Sequence, residues 1–496
     1  MPRLLSLALI ATLLAAPLAA QPLPEDIADL LARGDHAAAR SALAPLAEAG
    51  ETPDAMYRYG ALLYQGQGGP VEREAGLEWM ARAAQAGHDD AAVTLARILL
   101  TGPAAGVVRN PEQAAALLAP VAERGGAEGA YYLGLLHLAG TGVAQDAARA
   151  EALLTQAAEA AFPRAQWELS RLLAGGPDPA AAMPWLRAAA EAGVAEAQMR
   201  LAVDLDETDP AAALAWYRRA ADGGVVMAQR ELGTRALTGA EGIEANPSEA
   251  LRWLTSAAEA GDRSAMHNLA VAYGGEHGIP ADPARALSWY ARASEAGLAR
   301  ASYALAQYLE AGLGSEADLR LAAQAYRLAG EQGDPRGFLR LGRLTGQGAL
   351  DAWVPPHLAV DWTLAAAQDG DAGARTWLEA RAAEPLRPAQ TAFAKLLLSE
   401  GEADAAIPLL LAAAEAGDVE AQHLLALAHS RGEGVPLDYV AAHTWSNVAA
   451  TGGHPEAAAL RETIGALMTP DQIAEAQTEA RAFFDAAAAA PPPVGR

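Results

Sequence analysis

The apolar positions of this chain fall into a long-range beat. A phrase of the type A-A-x-x-G-D returns throughout, as in Ala257-Ala258-Glu259-Ala260-Gly261-Asp262 and Ala413-Ala414-Glu415-Ala416-Gly417-Asp418. Its glycine stands at positions 50, 87, 125, 193, 224, 261, 297, 333, 370, 417 and 453, and Ala161 takes the same place between 125 and 193. Successive anchors lie 31 to 38 residues apart, with one interval of 47. Self-similarity at such a period is the mark of a stacked repeat, in which each unit buries its apolar face on its neighbours.

Each unit carries two helical patterns. Eight residues after the anchor stands a large apolar residue: Leu95, Leu133, Leu169, Leu201, Leu232, Leu269, Leu305, Leu341, Leu378 or Leu425. A small residue follows at once, such as Ala96, Gly134, Ser170, Ala202 or Gly342. This predicts a first helix, the A helix, that a second helix approaches closely. A Gly-rich turn comes next, as in Gly66-Gln67-Gly68, Gly140-Thr141-Gly142, Gly312-Leu313-Gly314 and Gly432-Glu433-Gly434. Glycine ends a helix there by adopting positive φ. The second helix, the B helix, carries a tryptophan eight residues before the next anchor: Trp79, Trp185, Trp216, Trp253, Trp289, Trp362 and Trp445. Alanines at four and three before the anchor share its face. The tryptophans are expected to form the repeat core.

Two units, beginning at Ala161 and Gly193, are shortened at the turn, and the stretch 370–417 is longer and degenerate, with Pro385 and Pro388 inside it. A break or kink is expected there. Glu25–Gly34 and Asp35–Ala49 read as a capping hairpin within 21–49. At the other end, over 456–489, Thr469-Pro470-Asp471-Gln472 reads as a capping box opening a last helix. Residues 490–496 read as a disordered tail. Residues 1–20 read as a secretory signal peptide: Arg3, the apolar run Leu4–Leu14, then small residues with cleavage near Ala20. That run is too short to span a bilayer. The expected location is therefore periplasmic or secreted, with no stable membrane insertion after cleavage.

The pattern A-x-x-x-L-G-x-x-Y-x-x-G-x-G-V … A-x-x-W-x-x-x-A-A-x-x-G resembles the SEL-one-like repeats, relatives of the tetratricopeptide repeats. Residues 417–452 carry it best, through Ala421, Leu425, Gly432, Gly434, Val435, Trp445, Ala449 and Ala450. The likeness spans about eleven units over residues 50–455. It implies an all-α, right-handed superhelical solenoid of stacked antiparallel hairpins. It also implies a protein-binding scaffold; exported bacterial members are associated with envelope regulation and assembly of complexes. Some cysteine-rich members have been linked to β-lactam hydrolysis, and this chain has no cysteine.

Composition narrows the chemistry. The net charge is −25, with 36 basic and 61 acidic residues, and Lys395 is the only lysine. Such a chain is a poor nucleic-acid ligand, because that affinity comes from Lys and Arg neutralising phosphates. The absence of cysteine removes disulfides, thiolate metal sites and a Cys nucleophile. The Gly-rich turns lack the Lys-Ser/Thr of a phosphate loop. The ten histidines show no zinc-ligand spacing. There is no G-x-S-x-G elbow. No catalytic residue, cofactor or metal is assigned, and the chain reads as a non-enzyme.

What remains is surface. By analogy with tetratricopeptide repeats, the sixth and tenth residues after each anchor face a concave groove. Tyr131, Trp167, Arg230, His267, Tyr303 and His423 occupy the sixth place, as does Tyr57 in the first unit once its one extra residue is allowed for; Arg97, Arg171, Gln307 and Arg343 occupy the tenth. Aromatics and arginine are enriched where interfaces concentrate binding energy. The alternative for the aromatics is packing between units. The expected ligand is an unidentified protein partner. A cell-wall glycan is the alternative, with sugar stacking open to off-register tryptophans such as Trp167, Trp353 and Trp377.

Overall fold

A computed structural model describes residues 23–102, 107–239, 244–275 and 277–489. The expected signal peptide and the tail 490–496 lie outside these residues. The described residues form 27 α-helices and no strand. The helices stack as antiparallel hairpins, so the fold is an all-α solenoid. The chain divides into two compact units, one ending at Leu232 and one beginning at Gly233.

In the first unit, helices Glu25–Ala32 and His36–Ala49 precede hairpins such as Pro53–Gln65 with Arg73–Gln85 and Ala127–Ala139 with Ala147–Glu159. In the second, Arg263–Tyr273 pairs with Pro283–Glu295, Ala299–Ala311 with Leu319–Glu331, Pro335–Gly346 with Pro356–Gln368, and Val419–Arg431 with Tyr439–Thr451. Helices Ala457–Gly465 and Pro470–Ala489 close that end and pack on Tyr439–Thr451. The Thr469 capping box is present. The Gln472 amide N–H donates to Thr469 Oγ1 at 3.3 Å, and Gln472 Oε1 accepts from Thr469 N–H at 2.9 Å.

The turns behave as the spacing predicts. All eleven anchor glycines have positive φ, and so does Ala161, at 59°. Each Gly-rich turn also has its second glycine at positive φ, for a further reason. A Cβ on Gly142 would lie 2.4 Å from the Pro111 carbonyl carbon, and one on Gly314 would lie 2.3 Å from the Pro283 oxygen. The turn is pressed onto the first residue of the preceding B helix. The small residue of the A helix works as expected: a Cβ on Gly342 would meet the Trp362 oxygen at 2.2 Å.

The A-helix leucines are buried, apart from half-buried Leu305. The tryptophans are not the core. Only Trp253 is buried; the other six of the set are half-buried. The residue after the tryptophan fills the seam instead: Met80, Tyr217, Leu254 and Tyr290, with Leu118, Leu154, Tyr326 and Leu410 where tryptophan is replaced. The buried B stripe lies 11, 7, 4 and 3 residues before the anchor, for example Ala250, Leu254, Ala257 and Ala258. That is the i, i+4, i+7, i+8 face of a helix, and the tryptophan stands at its edge. Its indole is covered by arginine: Arg82 over Trp79 at 4.5 Å, Arg219 over Trp216 at 4.6 Å and Arg292 over Trp289 at 4.1 Å.

The degenerate stretch forms three helices, Ala372–Ala382, Arg387–Glu400 and Ala403–Glu415. Neither proline interrupts one: Pro385 sits in the turn and Pro388 in the first turn of its helix, where a missing N–H costs nothing. The apolar core runs on from Ala359 to Leu425, so the expected break is absent from the packing.

Candidate partner-binding site

The polar residues are mostly spent on the repeat itself. Ten aspartates are N-caps whose carboxylates accept a backbone N–H: Asp35, Asp146, Asp209, Asp262, Asp282, Asp318, Asp334, Asp371, Asp418 and Asp438. Each also meets the positive end of a helix dipole. Part of the acidic excess is thus helix capping. Buried glutamines five residues after the anchor donate to a carbonyl three before it: Gln166 to Ala158, Gln198 to Ala190, Gln229 to Ala221 and Gln422 to Ala414, at 3.3, 3.0, 3.2 and 3.0 Å. In another unit Ser302 meets Ser294 at 2.6 Å in the same two places. The in-phase recurrence of A-Q after the anchor was the available sequence signal for this tie.

Several residues expected to face a groove are tied to the next repeat, and Arg343 to the end of its own. Tyr57 shares a 3.1 Å hydrogen bond with Thr94 and packs on His88. Arg97 pairs with Glu128 at 3.7 Å. Arg336 covers the Tyr303 ring at 4.5 Å. Arg343 pairs with Asp369 at 2.7 Å. His267 is half-buried against Tyr290, Arg230 is half-buried, and Gln307 is exposed. Tyr131 and His423 are interior, at 6% and 5% exposure. Burial pushes the Tyr131 hydroxyl above the usual tyrosine range. Between Ala299–Ala311 and Pro335–Gly346 the A face is sealed by Glu310, which accepts from Tyr326 Oη at 2.7 Å and pairs with Arg340. Burial opposes ionisation of Glu310, but the hydrogen bonds from Arg340 and Tyr326 prevail and hold its carboxyl below the usual range.

The shortened repeats differ. Helices Pro163–Ala174 and Ala195–Leu205 have 12 and 11 residues, and the B helix Ala182–Glu191 has 10, where full repeats commonly have 13. No Gly-x-Gly turn follows Ala174 or Leu205; after Ala174 a single 3₁₀ turn, Pro179–Ala181, leads into the B helix. An open cleft of about 440 Å³ lies among Pro163–Ala174, Ala182–Glu191 and Ala195–Leu205. Trp167, Met183 and Leu186 form its apolar wall, and Arg171 and Arg200 stand at its rim. Both arginines hold only a neighbour on their own helix, Arg171 with Glu168 and Arg200 with Asp204, each at 2.9 Å. Each guanidinium side chain is 59% exposed. Of the eleven expected residues, the structure brings Trp167 and Arg171 together in one cleft, beside Met183, Leu186 and Arg200. Of the other off-register tryptophans, Trp353 is 40% exposed and Trp377 is buried. A second cleft of about 440 Å³ lies by the B helices Leu319–Glu331 and Pro356–Gln368, walled by Phe338, Leu358 and Trp362. Among the described residues no three His, Asp or Glu side chains converge as a metal site requires, and no helix is long and apolar enough to cross a membrane.

A hairpin solenoid with such a face is a repeat protein of the interaction type. The Sel1 repeat model matches ten segments, 53–88, 90–126, 127–162, 163–194, 195–225, 226–262, 263–298, 299–334, 339–371 and 419–454. These cover well over half the chain, which belongs to the Sel1 repeat family. The gap 372–418 is the three-helix segment. Sel1 repeats generally mediate protein–protein interaction. Among solved structures the chain is similar to c5321, a protective antigen present in uropathogenic Escherichia coli strains and displaying an SLR fold. The identity is 23%, over 92% of this chain and 99% of that one, with a TM-score of 0.59. It is also similar to a Sel1 repeat protein from Oxalobacter formigenes, at 25% identity over 70% of this chain and 90% of that one, with a TM-score of 0.40. No curated protein matches the chain.

Proposed function

We propose that the chain is a non-catalytic, exported interaction scaffold, periplasmic or secreted, that holds a segment of a protein partner in the cleft of its shortened repeats. The observation that carries this reading is the open Trp167–Arg171–Arg200 cleft on an A face whose full-length repeats are laced shut. An aromatic wall with flanking arginines suits an extended segment that offers an apolar side chain beside a carboxylate. The family and its general role support the scaffold reading. The sequence of residues 1–20 supports export.

The test is a photo-crosslinking residue at Ala174, on the cleft wall, with one at Gln307 on the sealed face as control. Adducts with an envelope protein are expected at Ala174 only, and they should disappear in Trp167→Ala. Adducts of equal yield at both sites would refute the cleft as the binding place. Sequencing the exported chain should find Gln21 first. The exposed edge of Trp167 favours a second reading, a glycan stacked on the indole; retention on cell-wall sacculi that is lost in Trp167→Ala would replace the protein partner with that ligand.

A further inference from the structure

We propose that helices Ala457–Gly465 and Pro470–Ala489 form a proton-released latch, held on the second unit only while two buried imidazoles, His423 and His443, are uncharged, with the His454 ring stacked on the first. His454 follows the anchor Gly453. Its Nδ1 accepts the Glu456 backbone N–H at 3.2 Å, and its Nε2 lies 3.1 Å from Glu420 Oε2. With Nδ1 accepting, Nε2 is the nitrogen that faces Glu420 as a donor. His423, from helix Val419–Arg431, lies flat on that ring, with centroids 4.0 Å apart and planes within 17°. His443, from helix Tyr439–Thr451, faces Gly465, its ring 3.7 Å from where that residue's Cβ would be. His423 and His443 are 5% and 6% exposed, and the Nδ1 of each is buried without a hydrogen-bond partner.

The carboxylates nearest the stack, Glu420 and Glu456, favour a cation on His423 but are outweighed by burial and like charge. Glu420 is already engaged by Lys395, from helix Arg387–Glu400, at 2.5 Å. Glu456 Oε2 is 3.8 Å from His423 Nε2 and is itself 79% exposed. Arg431 on the His423 helix and Arg461 on the latch helix add like charge. Burial first, and then neighbouring positive groups, push His423 and His443 below the usual imidazole range. The folded form therefore binds fewer protons than the unfolded one just below pH ~6.5. The contribution of the two rings is complete above that pH and is lost as pH falls through their lowered values. A charge on His423 would be held against the face of the His454 ring, with centroids 4.0 Å apart, and with its own Nδ1 unpartnered. Opening the latch relieves all of this at once and uncovers Trp445, now 5.6 Å from Phe483, and Thr444, now bonded to Glu479 at 3.0 Å.

The first unit supplies its own control. His88 caps Ala91 through Nδ1 at 3.2 Å and faces Asp54 at 3.4 Å, but the ring beside it is Tyr57, which gains no charge in acid.

Hydrogen exchange of the full chain, corrected for intrinsic rate, at pH 7.5 and 5.0 tests the latch. Protection over 457–489 should fall at least tenfold at pH 5.0, while protection over 53–101 stays within about twofold. In His423→Phe/His443→Phe the latch should stay protected at both pH values. An unchanged wild-type latch at pH 5.0, or an equal loss in the double variant, overturns the proposal. Should the double variant not fold, His454→Asp keeps an N-cap and removes one ring of the stack. Its latch should lose less protection on acidification than the wild type, and an equal loss again overturns the proposal.

Discussion

The A face over residues 163–205 and the A face over residues 299–346 are built from the same pattern and end in opposite states. In the longer repeats, Tyr303 lies under Arg336, and Glu310 is held between Tyr326 and Arg340. In the shorter ones, Trp167 is half-buried, and its neighbour Arg171 pairs with Glu168 and lies 5.8 Å from the Trp167 ring centre, both contacts within its own helix. A turn accounts for the difference. In full repeats the Gly-x-Gly turn lies on the start of the preceding B helix; residues 206–209, which follow Ala195–Leu205, hold no such turn, and the start of Ala182–Glu191 lines the open cleft. The length of a connection, rather than any special residue, decides whether a repeat offers its aromatic outward.

The strongest way to break this contrast is to restore the missing turn. Replacing Asp206–Thr208 with the loop 140–145 should abolish crosslinking at Ala174 and leave the hairpins folded by circular dichroism. Tyr326→Ala in the sealed repeat should cost about 3–5 kcal/mol in chemical denaturation, since it empties a site 1% exposed. Trp167→Ala should cost only about 1 kcal/mol while removing partner capture. Arg340→Ala, which leaves Glu310 short of its cation, should cost about 1–2 kcal/mol, against about 0.5 or less for Arg171→Ala. The same carboxylate gives a pH signature. Because Glu310 is held below its ordinary value, its contribution is full at neutral pH and is lost below about pH 4.5. Exchange protection over 299–346 should fall there, and Glu310→Gln should flatten that fall. The smallest effect lies at the entrance to the short repeats. Ala161 adopts φ of 59°, so Ala161→Gly should raise stability by about 0.5–1 kcal/mol, read as a rise in denaturation midpoint.

Much of this was legible in the chain. The eight-residue offset from anchor to leucine located ten first helices, because a fixed offset on a 3.6-residue helix returns to one face; it did not reach Pro53–Gln65, whose unit carries one extra residue, or Arg387–Glu400, which has no anchor. The glycines gave the turns, because positive φ selects them. Tryptophan misled. Its recurrence marked the B helix correctly, yet its size placed it at the edge of a seam that alanine spacing makes narrow, and the smaller neighbour went inside. The groove was legible as a register but not as an opening. Positions six and ten after the anchor are alike in every unit, and whether they are covered depends on the turn and on partners such as Glu310 from the adjacent unit. His423 shows the same limit: its register places it beside Tyr57 in the pattern, but its role is set by His454, thirty-one residues later.

The second glycine of each Gly-x-Gly turn has a bearing on how such chains grow. Gly142 rests on Pro111, Gly314 on Pro283 and Gly434 on Ala403, each time the opening residue of the B helix before. The buried glutamine ties run across the same junction. The segment that keeps these turn and glutamine contacts within itself is therefore not the A–B hairpin. It begins at the N-terminus of one B helix and runs through the next A helix to the end of its turn. A duplication cut at those points would carry its own mates with it, whereas one cut at the hairpin would join each turn to a stranger. Copy number in this array is easiest to change in that out-of-phase unit.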